Sequence, residues 1–115
     1  MLWQVRRPPM SFTLQDLEQR VKDRASASAE VSYTRKLLDR GVAHCAKKLG
    51  EEAIETALAA VGEDRERLIA EAADLVYHLI VVLQARGIAL ADVEAALAAR
   101  TGQSGLDEKA SRKRV

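Results

Sequence analysis

Two acid clusters carry most of the chemistry open to this 115-residue chain: Glu51-Glu52-Ala53-Ile54-Glu55, and then Glu71-Ala72-Ala73-Asp74. Glu51 and Glu55, Glu52 and Glu55, and Glu71 and Asp74 are each three or four residues apart, one turn of an α-helix. Each cluster would therefore project its carboxylates from one short patch of helix. Like charges at that spacing weaken an isolated helix by roughly 0.2–0.5 kcal/mol per pair. A divalent cation shared by two facing helices would offset the repulsion. An oxygen-only donor set suits Mg²⁺ or Mn²⁺ better than zinc. A di-iron carboxylate site wants Glu-x-x-His on one helix; here His78 follows Asp74 by four residues and Glu71 by seven, which disfavours iron.

The elements that must hold these acids read as helices. Both prolines fall at positions 8 and 9, so after them only glycine interrupts helical runs. Alanine and leucine supply most of the apolar mass and only 3% of residues are aromatic, which favours packed helices over sheet. Thr13 with Asp16 resembles a capping box and opens a helix to about Ala27 with Leu14, Leu17 and Val21 along one edge. A Ser/Ala-rich loop follows over 26–32. Tyr33 to Arg40 is a short helix closed by Gly41, and Val42 to Val61 is a long one stopped by Gly62. The next starts at Glu63 or Asp64 and runs to Arg86 before Gly87, with deep burial expected over Leu79–Leu83. A last helix spans about Leu90 to Arg100 and ends near Gly102. The expected organisation is a flexible leader over 1–12, an all-α domain over 13–103 and a basic tail over 104–115.

Helical wheels sharpen the role of the acids. At about 100° per residue, Glu51, Glu52 and Glu55 border the side of their helix that carries Ile54 and Leu58. Glu71, Asp74 and His78 border the stripe formed by Leu68, Leu75, Leu79 and Val82. An ordinary solvated charge would lie opposite the core. Carboxylates at its edge are protonated, paired with bases or bound to metal. The short link between the two long helices makes them antiparallel neighbours, so the two acidic patches can face each other.

Bulk properties exclude several classes. The net charge of +1 gives no global basicity of the kind a general nucleic-acid binder shows. Cys45 is the only cysteine, which rules out an internal disulfide and a Cys-rich zinc site, and suits a reducing cytoplasm. No stretch is expected to approach a membrane span, and no membrane partner is expected. Apolar residues run most of the way round the Leu75–Leu83 segment, more than one neighbour would cover, so a homodimer is expected to bury the excess.

The E-E-x-x-E…E-x-x-D pattern resembles the MazG-like all-α nucleotide pyrophosphatases. Within that superfamily the chain is most similar to the phosphoribosyl-ATP pyrophosphatase family, from Thr13 to about Lys113. Four segments carry the likeness: Ser32-Tyr33-Thr34-Arg35-Lys36-Leu37; Lys47-Lys48-Leu49-Gly50 with the first acid cluster; Glu71 to Leu79; and Ser104-Gly105-Leu106-Asp107-Glu108-Lys109-Ala110-Ser111-Arg112-Lys113. The acids alone mark the superfamily, and the first and last segments narrow it. Arg35 departs from the pattern, standing where the family commonly has a small residue.

The resemblance implies hydrolysis of phosphoribosyl-ATP to phosphoribosyl-AMP and pyrophosphate, the second step of histidine biosynthesis, in a homodimeric five-helix bundle. It implies Mg²⁺ (or Mn²⁺) held by Glu52, Glu55, Glu71 and Asp74, with Glu51 as base or second-metal ligand. Lys47, Lys48, Arg35, Lys36, Tyr33, Arg112 and Lys113 become candidate substrate contacts, with Arg40 near them. His78 is expected to support the acids rather than react, and His44 and Cys45 are expected to be structural. Two rivals stand beside this reading: a house-cleaning nucleoside triphosphate pyrophosphatase of the same superfamily, and a non-enzymatic helical module whose acids merely solvate the bundle.

Overall fold

The computed structural model describes residues 11–62 and 64–102. Most of the expected leader, and the tail with its Ser104–Lys113 segment, lie outside them. Five helices follow in order: α1 Leu14–Ala25, α2 Tyr33–Asp39, α3 Val42–Val61, α4 Arg65–Ala85 and α5 Leu90–Thr101. Among the described residues there is no strand. The fold is all-α, as expected, with boundaries within about two residues of those read from the sequence.

Local chemistry explains the ends. The Thr13 hydroxyl accepts from the Asp16 amide at 3.1 Å and the Asp16 carboxylate accepts from the Thr13 amide at 3.0 Å, a complete capping box. Ser32 caps α2 through the Arg35 amide and donates its own proton to the Arg24 carbonyl oxygen, tying α2 to the end of α1. Asp64 caps α4 by accepting from the Glu66 and Arg67 amides. At the other end of α4, Gly87 takes φ +67° while Ile88 N–H donates to the Leu83 carbonyl at 2.9 Å and Gly87 N–H to Gln84 at 3.1 Å. That pairing is a Schellman stop, which needs a residue free to adopt positive φ.

The α3–α4 hairpin is the backbone of the molecule; α1 packs on α4, and α2 is wedged against α1, α3 and α4. The core takes at least one side chain from every helix: Val21, Leu37, Cys45, Ile80, Val81 and Leu90, flanked by Leu17, Leu38, Tyr77, Val82, Leu83 and Ala85. Burial over Leu79–Leu83 is therefore real but one-sided, for Leu79 stays 40% exposed. The membrane expectation needs correction. α4 is 21 residues long and apolar enough, by length and composition, to cross a bilayer. In the fold the apolar run that satisfies this test supplies Ile80 and Val81 to the core, and the same helix carries Glu71, Asp74 and a buried His78.

Helix α5 begins at Ala89, which has no side chain able to cap it. Glu18 of α1 supplies the missing acceptor, its Oε2 lying 2.7 Å from the Leu90 amide. Glu18→Ala should therefore lower stability by about 1 kcal/mol, as loss of a helix cap does, moving the thermal midpoint down by about 4–8 °C. Calorimetry that finds no shift would show that α5 is held by Leu90 packing alone.

Candidate functional site

Helix α3 presents Glu51, Glu52 and Glu55, and α4 presents Glu71 and Asp74 across the hairpin. The structure brings three of them together: one carboxylate oxygen each of Glu52, Glu55 and Glu71 lie within 4.8 Å of one another. Thr56, one turn beyond Glu52, holds the two helices at this level. Its hydroxyl lies 2.7 Å from the Glu52 carbonyl oxygen and 3.0 Å from that of Glu71, so its proton serves the backbones of both helices. Nothing in the sequence singled out Thr56, since a threonine inside a helix carries no signature of its own. Asp74 stands outside the three-oxygen group, but its charge still acts on Glu52.

The electrostatics are those of an underneutralised site. Glu52 is half-buried, and its Oε2 is shut from solvent with no hydrogen-bond partner. Burial first, then the charge and hydrogen bond of Glu55 and the charge of Asp74, raise the Glu52 pKa, while His78 opposes them. His78 is buried; its Nδ1 lies 2.8 Å from the Asp74 carbonyl oxygen, which fixes that nitrogen as the donor, and its Nε2 is buried without a partner. An orphaned buried carboxylate oxygen such as Glu52 Oε2 is costly unless a cation or proton meets it, and an oxygen-only donor set is one that could hold Mg²⁺ or Mn²⁺.

A raised folded-state pKa means that the folded chain binds the Glu52 proton more tightly than the unfolded one. The stability it contributes is present below the ordinary carboxylate range and is lost as pH rises through the raised value. Glu52→Gln should then raise the melting temperature of cation-free protein at about pH 7.5, and the gain should shrink towards about pH 4. Thermal melts across that window test it; a gain independent of pH would mean that Glu52 is not strained.

Beside the acids lies a cleft of about 480 Å³ between α2 and the start of α3. Ala29, Tyr33 and Leu37 give it apolar surface, Lys36, Arg40 and Lys48 give it positive charge, and His44 adds a polar imidazole. Lys48 joins cleft to acids: its Nζ lies 3.3 Å from Glu51 Oε1, and that hydrogen bond and charge raise the ammonium pKa. The Tyr33 ring is half-exposed, 6.4 Å from both Tyr77 and His78. Beneath it, Thr34 Oγ1 and the Tyr77 hydroxyl are 2.6 Å apart, which pins α2 to α4.

The remaining candidates are placed differently. Arg35 is engaged inside the fold, with Nε on Asp39 at 2.9 Å and Nη1 on the Ala27 carbonyl at 3.1 Å, and it does not line the cleft. Lys47 is exposed and also outside the lining. Arg112 and Lys113 lie outside the described residues. Cys45 is buried, with its Sγ 3.2 Å from the Leu37 carbonyl oxygen. His44, expected to be structural, lines the cleft, at a spacing of four from both Arg40 and Lys48.

An all-helical scaffold that sets carboxylates from two antiparallel helices beside a basic cleft defines a class of protein built to handle polyanions. Residues 14–101 match the family model described as phosphoribosyl-ATP pyrophosphohydrolase, and the chain belongs to that family. It is 64% identical to the phosphoribosyl-ATP pyrophosphatase 1 of Bradyrhizobium diazoefficiens, over 89% of this chain and 96% of the relative. It is 62% identical to the phosphoribosyl-ATP pyrophosphatase of Azorhizobium caulinodans, over 89% and 94%. With the phosphoribosyl-ATP pyrophosphatase 1 of Rhodopseudomonas palustris the identity is 59%, over 90% and 96%.

Proposed function

We propose that this chain hydrolyses phosphoribosyl-ATP to phosphoribosyl-AMP and pyrophosphate, the second step of histidine biosynthesis, as a cytoplasmic Mg²⁺-dependent homodimer. The observation that supports the mechanism is the approach of one carboxylate oxygen each of Glu52, Glu55 and Glu71 to within 4.8 Å of one another, with Glu52 Oε2 buried and unpartnered. Water adds to the α-phosphorus, the α–β phosphoanhydride bond breaks and pyrophosphate leaves. Such transfers are driven by positioning and charge stabilisation, which suits a bundle without a covalent nucleophile.

The residues divide that work. Glu52, Glu55 and Glu71, with Asp74 beside them, would hold the cation, which when bound neutralises phosphate oxygens and leaving-group charge. Glu51 orients the attacking water, as base or as a second cation ligand, and its carboxylate is paired with Lys48, which lines the cleft. Lys48 and Lys36 meet substrate phosphates, and the exposed Tyr33 ring offers a face to the base or ribose. His78 supports the acid patch from behind.

The dimer reading rests on α3. Of its 20 residues only Cys45 and Ala59 are buried, while Ile54, Leu58 and Val61, spaced as one stripe, are 63%, 60% and 84% exposed. A stripe of that kind wants a partner surface, and the same stripe on a second copy supplies one under two-fold symmetry. The test of function is pyrophosphate release from phosphoribosyl-ATP against common nucleoside triphosphates, with and without Mg²⁺. We expect activity with phosphoribosyl-ATP only when Mg²⁺ is present; full activity after chelation would overturn the mechanism.

A further inference from the structure

The cleft carries more positive charge than the acid patch uses. Among its lining residues only Lys48 is paired with an acid of that patch, and Asp39, the one acid in the lining, is taken by Arg35. Among the described residues no carboxylate forms an ion pair with Lys36, Arg40 or His44. The four bases come from two elements that meet at Gly41, whose φ of +92° turns the chain from α2 into α3. Lys36 and Arg40 end α2, and His44 and Lys48 lie on successive turns of α3, each four residues from the next. Positive potential there is felt inside the protein as well: after burial, the cations Arg40, Lys47 and Lys48 disfavour the charged form of His44.

The substrate proposed above has two separated anionic parts. Its triphosphate contains the bond that breaks and belongs at the carboxylates with their cation. Its phosphoribosyl arm ends in a phosphate monoester, a dianion that basic side chains can hold without a metal. We propose that the cleft is a phosphomonoester subsite in which Arg40 and His44 take the terminal phosphate of the phosphoribosyl arm. The subsite, which rests on the functional reading above, is what separates phosphoribosyl-ATP from plain nucleoside triphosphates. The Arg40 guanidinium offers a planar fork that matches two phosphate oxygens. His44 donates a ring N–H in either neutral tautomer. Lys36 adds charge, and Tyr33 and Leu37 give the pentose an apolar surface to lie against.

The competing assignment puts the departing pyrophosphate in this cleft, and equilibrium binding separates the two. Titration calorimetry on the full chain would compare phosphoribosyl-AMP, AMP and pyrophosphate for wild type, Arg40→Ala, Arg40→Lys and His44→Ala. Wild type should bind phosphoribosyl-AMP more tightly than AMP. Arg40→Ala and His44→Ala should each weaken phosphoribosyl-AMP by roughly 10- to 100-fold, the worth of a charged hydrogen bond, and Arg40→Lys should recover part of the loss. AMP and pyrophosphate should weaken far less. The subsite is overturned if wild type shows no preference for phosphoribosyl-AMP over AMP, or if AMP or pyrophosphate falls by the same factor in the variants. Turnover of phosphoribosyl-ATP by wild type, measured alongside, keeps the two readings apart. Its absence overturns the function, whereas intact turnover with unselective losses overturns only the subsite. Arg40 is exposed and His44 half-buried, and circular dichroism of each variant guards against misfolding, with His44→Ala carrying the test if Arg40→Ala unfolds.

Discussion

Glu55→Ala and Asp74→Ala should each abolish pyrophosphate release from phosphoribosyl-ATP, a loss of at least about 10²–10³-fold, while the far-ultraviolet helical signal stays close to that of the wild type. Neither side chain is buried, so their removal opens no cavity, and relief of like-charge repulsion should leave the bundle at least as stable. The effect should lie in cation binding and transition-state charge. Mg²⁺ titration of the two variants separates their contributions. Glu55 belongs to the group of oxygens within 4.8 Å and Asp74 does not, so Glu55→Ala should lose more Mg²⁺ affinity than Asp74→Ala. Near-normal turnover in either variant would remove that residue from the proposed centre. A stability loss matching the activity loss would mean that the acids are structural.

The second large effect concerns assembly. Leu58→Asp places a charge in the middle of the exposed Ile54–Leu58–Val61 stripe of α3. In a folded monomer that position is on the surface and the change should cost little. In a dimer that covers the stripe, an unpaired carboxylate would be desolvated, and the dissociation constant should rise by at least about 10³-fold. Sedimentation of wild type and variant at matched concentration reads this directly. An unchanged sedimentation coefficient, whether both are monomers or both dimers, would show that the stripe is not the interface.

Much of the fold could be read from the order of residues because its determinants are local. The Thr13–Asp16 capping box, the stop at Gly87 and the proline-free run after position 9 act within one or two helical turns, and all describe elements that the structure contains. The apolar run in α4 is longer than expected, and length alone does not decide its environment. Counting apolar residues along α4 cannot say whether they meet lipid or protein, and only packing places Ile80 and Val81 in a core shared with α1, α2, α3 and α5. Arg35 and His44 show the same limit at the site. A basic residue on a short helix can point to substrate or to its own backbone, and Arg35 is held by the Ala27 carbonyl and Asp39 while His44 lines the cleft.

The sequence by itself determined the helices, their antiparallel pairing and the identity of the acids, since periodicity and spacing govern which side chains share a face. Only the tertiary structure decided which oxygens converge. Glu52, Glu55 and Glu71 draw together while Asp74 stands aside, because the axial offset of α3 against α4, held by Thr56 at the Glu52 and Glu71 carbonyls, is a property of two packed surfaces. The same holds for the cleft. Lys36, Arg40, His44 and Lys48 become neighbours across the corner at Gly41, where one positive φ turns the end of α2 into the start of α3.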